Sequence, residues 1–147
     1  MSNNNSTINI IQPVVQKAKE AQKQFEKYSQ NQVDEVVTAV AWALCNPITN
    51  KLISNLAVET TGFGNAEDKI NKNRRKTLGL LRDLKGVKTV GVINEDKQKG
   101  IIEIAKPVGV VGAVTPSTNP AATPVNNILN AVKGCLLYTS PSPRDRG

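Results

Sequence analysis

The 147-residue sequence contains no histidine. That excludes a Ser-His-Asp or Cys-His nucleophile pair, and any histidine-ligated metal, within these residues. The two cysteines, Cys45 and Cys135, lie far apart and have neither metal-ligand nor redox spacing, so no metal is expected. Aromatic residues make up 3%, which leaves few platforms for stacking bases and obliges any core to use Val, Ile, Leu and Ala. No apolar run approaches the roughly 18 residues of a membrane-spanning helix, and no membrane partner is expected. The opening segment MSNNNSTINI lacks a basic stretch followed by an apolar one. It has no secretory signature, and a cytoplasmic location is the resulting expectation.

What is present suffices for one modest domain with a real core. Lys and Arg total 19 against 12 Asp and Glu, a formal charge of +7. Such a surplus can attract nucleic acid, phosphate or an acidic membrane, or can simply keep a surface solvated.

Residues 1–7 are polar, and a disordered terminus is expected there. From Ile8, apolar residues recur at Ile11, Val15, Ala18, Ala21, Phe25 and Tyr28, the spacing of a helix with one buried face. Val33, Val36, Val37, Val40, Ala41 and Leu44 define a second helix, which Pro47 ends. A third helix covers 49–60 with Leu52, Ile53, Leu56 and Ala57 inward, stopped by Gly62 and Gly64. Asn65 caps a fourth, whose stripe is Ile70, Thr77, Leu81 and Leu84. Its other side carries Lys69, Lys72, Arg74, Arg75 and Lys76, read as a solvated face or a phosphate contact.

The period then changes. Residues 88–93 and 100–105, joined by the polar turn 94–99, predict a β-hairpin. The continuous apolar run 108–114 predicts a strand covered on both faces. A polar loop, 115–118, leads to a helix that begins between Asn119 and Pro124 and runs to about Lys133. Helices, a hairpin, then strand–loop–helix is the front of an α/β protein.

From Cys135 the character breaks. The stretch CLLYTSPSPRD resembles the translation of a sequencing-library adapter and has no core-forming period. Residues 135–147 are therefore set apart as a non-native tail, with no following strand expected. A lone strand–helix unit exposes its parallel edge, so the natural protein is expected to be longer.

The segment richest in chemistry is 106–124, KPVGVVGAVTPSTNPAATP. An apolar strand delivers Thr115, Ser117, Thr118 and Asn119 to the carboxyl end of a sheet, where open α/β folds bind ligands. These short donors and acceptors precede a helix N-terminus, which favours an anion or developing negative charge. Gly109 and Gly112 do not form a G-x-G-x-x-G fingerprint. By physics alone, an ordinary strand and turn remains an equal reading.

Two stretches carry a family resemblance that extends over about 14–134. PVGVVGAVTPSTNPAATP resembles the first nucleotide-binding strand and loop of the aldehyde dehydrogenase superfamily. Its Thr-Pro-Ser-Thr-Asn-Pro form is similar to the CoA-acylating branch, where hydrolytic members usually carry Pro-Trp-Asn. ETTGFGNAEDKINKNRRKT, residues 59–77, resembles a helical segment of the same branch. The two occur in the family's order. The finer resemblance is to enzymes acting on small aldehydes such as acetaldehyde or sulfoacetaldehyde.

The resemblance implies the N-terminal part of an aldehyde dehydrogenase fold, with 8–134 a partial NAD-binding domain and 88–105 the protruding hairpin that mediates subunit contacts. It implies NAD (or NADP) as cofactor and coenzyme A as co-substrate. Asn119 matches the asparagine whose amide holds the oxyanion of the thiohemiacetal. Thr115, Pro116, Ser117 and Thr118 match the loop on the nicotinamide-ribose side. In the family, a cysteine attacks the aldehyde, hydride passes to the cofactor, and the thioester is transferred to CoA. That cysteine lies downstream of the matched stretch. Cys45, closing an apolar helix, reads instead as a small buried thiol. The fragment is accordingly expected to be inactive, and the full-length enzyme to be a homo-oligomer. The alternative is a small basic helical protein that binds nucleic acid, resting on the charge and the 69–76 cluster; no nucleic-acid motif supports it.

Overall fold

The computed structural model describes the backbone of residues 3–139. In chain order the elements are α1 (Asn3–Phe25), α2 (Gln30–Cys45), α3 (Pro47–Thr61), α4 (Ala66–Leu84), β1 (Gly91–Asp96), β2 (Ile101–Ala105), β3 (Val110–Gly112), α5 (Ala122–Lys133) and β4 (Leu137–Thr139). The strands form two pairs, antiparallel β1–β2 and parallel β3–β4.

The core is helical. Val33, Val37, Ala41 and Leu44 line one face of α2, as the periodicity requires. The first three meet Phe25 of α1 and Leu129, Val132 and Cys135 at the end of α5, while Leu80, Leu81 and Leu84 of α4 close the side. Ser29 starts α2 with a reciprocal cap. Its hydroxyl accepts from the Gln32 backbone N–H, and the Gln32 side chain accepts from the Ser29 N–H at 2.9 Å. Asn46 ends α2 and caps α3, with Pro47 in the first turn, where its missing N–H costs nothing. Gly62 closes α3 at φ +69°, a left-handed conformation that glycine adopts without steric cost.

Several expectations are corrected. α1 takes in Asn3 to Thr7, placed in a disordered terminus by their polarity; Met1 and Ser2 lie outside the described residues. On the same helix Ala21 is exposed and Gln22 is buried, because the Gln22 amide donates to the Cys135 carbonyl.

The inward face of α3 is polar rather than apolar. Leu52 and Leu56 are exposed, and Asn50, Ser54 and Ala57 are buried. These polar groups are tolerated because they are hydrogen-bonded. Asn73 of α4 donates to the Asn50 Oδ1 at 2.9 Å and the Ser54 Oγ at 3.2 Å, and Asn50 donates to the Ile70 carbonyl at 3.0 Å. The same packing draws Lys69 inward, so it leaves the basic face on which its sequence neighbours lie. Thr77 is fully buried as the stripe predicts, yet its hydroxyl has no partner. Thr77→Val keeps the shape and removes that orphan. It is expected to raise stability by about 1 kcal/mol, read as an upward shift in the thermal midpoint.

The first strand of the hairpin sits three residues later than its apolar pattern indicated, with Asn94, Glu95 and Asp96 inside β1, while β2 lies within the 100–105 expected for the second. Both strands are exposed along nearly their whole length, so no buried face dictates the register. The turn dictates it instead: the Asp96 carboxylate accepts the backbone N–H groups of Gln98 and Lys99, each at 3.1 Å. β3 is shorter than expected, and it is not covered on both faces. Val108 and Val114 are largely exposed, and the described chain supplies one neighbouring strand only. That neighbour is itself a correction. Residues 137–139, within the segment set apart as a tail, pair in parallel with β3, Val110 opposite Leu137 and Gly112 opposite Thr139. Residues 140–147 lie outside the described residues.

Candidate active-site loop

β3, α5 and β4 form a β–α–β unit, and the loop 113–121 leaves the carboxyl end of β3. All five residues singled out in the sequence, 115–119, fall in this one loop. Its shape comes from a turn in which the Asn119 N–H donates to the Pro116 carbonyl at 3.3 Å, with Ser117 and Thr118 at the tip. The two tip side chains are exposed, while Thr115 and Asn119 are half-buried. Asn119 is followed by Pro120 and then by Ala121 and Ala122, both buried, which anchor the loop to the core.

Ala121 stands at the N-cap of α5 and makes no side-chain cap. Ala121 thus offers the first-turn N–H groups of this helix no side-chain acceptor, and the partial positive charge of the helix end lies beside the loop. With short hydroxyls at the tip and an amide at the base, the loop suits a negatively charged or strongly polar ligand. Short hydroxyls beside a helix N-terminus are of the kind that fit an anionic group such as a phosphate.

Neither thiol offers a nucleophile to this loop. Burial pushes the Cys45 thiol above the usual cysteine value, against a smaller downward pull from Arg74. Burial likewise raises Cys135, opposed by Lys133. Both stay protonated at neutral pH and are poor nucleophiles. A folded value above the unfolded one means that each thiol's contribution to stability is full at neutral pH and is lost as pH rises past about 9. Among the described residues, no cluster of Cys, Asp and Glu could hold a metal ion.

Two features escaped the sequence. One is the Asn50–Ser54–Asn73 cluster, whose signal was the four-residue spacing of Asn50 and Ser54 on one helical face. The other is an ion pair between the buried Lys133 of α5 and Asp34 of α2. Nothing in the sequence joins those two residues. They border a cavity of about 460 Å³ with walls of Val37, Leu78, Leu81 and Leu84, which includes none of the loop residues.

A parallel β–α–β unit with a polar loop at the carboxyl end of its first strand is the opening of an open α/β fold, the class in which ligands are taken at the carboxyl ends of the strands. The chain belongs to the aldehyde dehydrogenase family, whose sequence model matches residues 3–145. It is 55% identical over 135 residues to an acylating sulfoacetaldehyde dehydrogenase of Cupriavidus necator, covering 91% of this chain and 27% of that protein. Among solved structures, an acetylating aldehyde dehydrogenase from Geobacillus thermoglucosidasius superposes with a TM-score of 0.87 at 37% identity, covering 93% of this chain and 30% of the other. An engineered glycolyl-CoA reductase with bound NADP+ superposes with a TM-score of 0.71 at 29% identity, covering 89% and 29%. The chain thus spans less than a third of the length of these relatives, and its architecture is that of the N-terminal part of the aldehyde dehydrogenase fold.

Proposed function

We propose that the intact protein is a CoA-acylating aldehyde dehydrogenase that oxidises a small aldehyde with NAD or NADP and releases the acyl group as its CoA thioester. The observation that carries this reading is the position of 115–119: one polar loop at the carboxyl end of β3, leading into an α5 whose N-cap residue, Ala121, supplies no side-chain cap. The acylating and acetylating relatives support the acyl transfer, and the reductase with bound NADP+ supports the nicotinamide cofactor. These relatives do not favour the nucleic-acid alternative.

Each loop residue then has a role. Thr115, Pro116, Ser117 and Thr118 would line the nicotinamide-ribose side of the cofactor, with Ser117 and Thr118 offering hydroxyls from the exposed tip. The bound nicotinamide supplies the hydride acceptor. Asn119, held at the base by its turn, would donate from its side-chain amide to the aldehyde oxygen as negative charge develops there. The nucleophilic cysteine is assigned to a segment outside this sequence, since neither Cys45 nor Cys135 is activated. The exposed β1–β2 hairpin is assigned to contacts between subunits. Its exposed Val92, Ile101, Ile102 and Ile104 suit burial against a second copy.

The intact gene product, supplied with sulfoacetaldehyde or acetaldehyde, CoA and NAD or NADP, is expected to reduce the nicotinamide beyond one equivalent per active site only when aldehyde and CoA are both present. The 147-residue chain alone should give no turnover. Aldehyde oxidation by the intact protein that ignores CoA and yields the free acid would overturn the acylating assignment.

A further inference from the structure

A chain of hydrogen bonds crosses the molecule from the root of the hairpin to the far end of α5. It begins at Thr89 and Val90, the residues just before β1. Their backbone N–H groups donate to the Gln30 Oε1 at 2.7 and 3.1 Å. The Gln30 Nε2 donates in turn to the Asp34 Oδ1 at 3.0 Å, one helical turn further along α2. The same Asp34 oxygen accepts the ammonium of Lys133, in the last turn of α5. Two segments far apart in sequence, the hairpin root and the end of α5, thus meet through two side chains of α2.

The pieces are unequal in their freedom. The Lys133 side chain is only 4% exposed, whereas that of Asp34 is 43% exposed. A buried ammonium left without its partner is costly, so it holds the carboxylate. The carboxylate holds the amide of Gln30 in one orientation, with its nitrogen toward Asp34 and its oxygen toward the linker. Only that orientation presents an acceptor to both Thr89 and Val90, because a carboxamide has one acceptor atom. Reversing it would set an NH₂ group against two N–H donors. The linker is otherwise held by Val90, which packs partly buried against the core, while the hairpin beyond it is exposed on both faces.

We infer that Lys133, Asp34 and Gln30 act as a relay that couples the root of the β1–β2 hairpin to α5. Displacing the hairpin strains the acceptor end of the relay, and shifting the end of α5 reorients the amide that holds the hairpin root. The inference rests on the fold and its hydrogen bonds, and it stands whether or not the proposed reaction is correct. Where the hairpin carries a subunit contact, assembly would be sensed in the helix that opens at the 115–119 loop.

Amide hydrogen exchange on the 147-residue chain tests this residue by residue. Lys133→Met removes the ammonium at a site in contact with neither Thr89 nor Val90. It is expected to speed exchange of the Thr89 and Val90 N–H groups by about tenfold or more, while the ladder amides between β1 and β2 exchange as before. Asp34→Asn, which keeps the shape, is expected to do the same if Lys133→Met does not fold. In the reverse direction, Gln30→Ala should speed exchange at Gly134, whose N–H bonds the Asn130 carbonyl beside Lys133. Unchanged exchange at Thr89 and Val90 in the folded variant would overturn the coupling. So would acceleration spread evenly over all slow amides, which reports only a loss of global stability.

Discussion

Asn119→Ala in the intact enzyme is expected to lower kcat by about 10²- to 10³-fold, equivalent to about 3–4 kcal/mol of transition-state stabilisation. The figure follows from the proposed role of Asn119 as an oxyanion donor. The aldehyde oxygen gains charge as the thiol adds, and an amide already aimed at it does not need to reorganise. The backbone of Asn119 is fixed by its surroundings: its N–H closes a turn on Pro116, and buried Ala121 and Ala122 follow it into α5. The substitution removes the amide and leaves the turn, which uses only backbone atoms. Cofactor affinity should therefore change little, because 115–118 keep their positions. Steady-state kinetics with the cofactor and the aldehyde varied separately checks both halves. A large rise in the cofactor KM with kcat intact would place Asn119 in cofactor binding instead.

Leu129→Ala is expected to cost about 3 kcal/mol of folding stability, enough to lower the midpoint of a domain this size by roughly 6–12 °C. Leu129 has no exposed surface and packs with Phe25, Val33, Val37, Ala41 and Val132, so it joins α1, α2 and α5 at one point. Truncation leaves a void among helices that are themselves constrained, and such sites relax only partly. The neighbouring Ile128 is half-buried and makes the control, where the same substitution should cost clearly less. Thermal and urea unfolding of the two variants would give the difference. Equal losses would mean that the core is looser than Leu129's complete burial implies.

These two residues mark the extremes of what the sequence made legible. Leu129 was readable because α5 and α2 follow the simplest rule, an apolar stripe at helical spacing facing a common core. The rule failed on α3. There the apolar stripe of Leu52 and Leu56 faces outward, and the buried face is made of Asn50 and Ser54. No periodicity reveals that, because the stability of a polar face depends on a partner, Asn73, that lies nineteen residues or more along the chain. β3 failed for a related reason. The residues 108–114 have the composition of a strand buried on both sides, but burial needs flanking layers, and the described chain pairs only Val110–Gly112 with β4. β4 itself was unreadable from a composition rich in Ser and Pro just beyond it. The loop 115–119 was legible as a unit, from its clustered short polar residues ahead of a helix. Its chemistry was not, because nothing in composition or spacing says which ligand an open helix end receives. That part came from the resemblance of two motifs, and the 55% identity to an acylating relative extends it to nearly the whole chain.

A crystal structure of the intact enzyme with NAD or NADP bound would test the account most directly. It is predicted to show 115–118 against the nicotinamide ribose, with the Asn119 amide within hydrogen-bonding distance of the position the aldehyde oxygen takes beside the nucleophilic cysteine. A cofactor bound elsewhere, with the Asn119 amide turned away from the reacting centre, would contradict it.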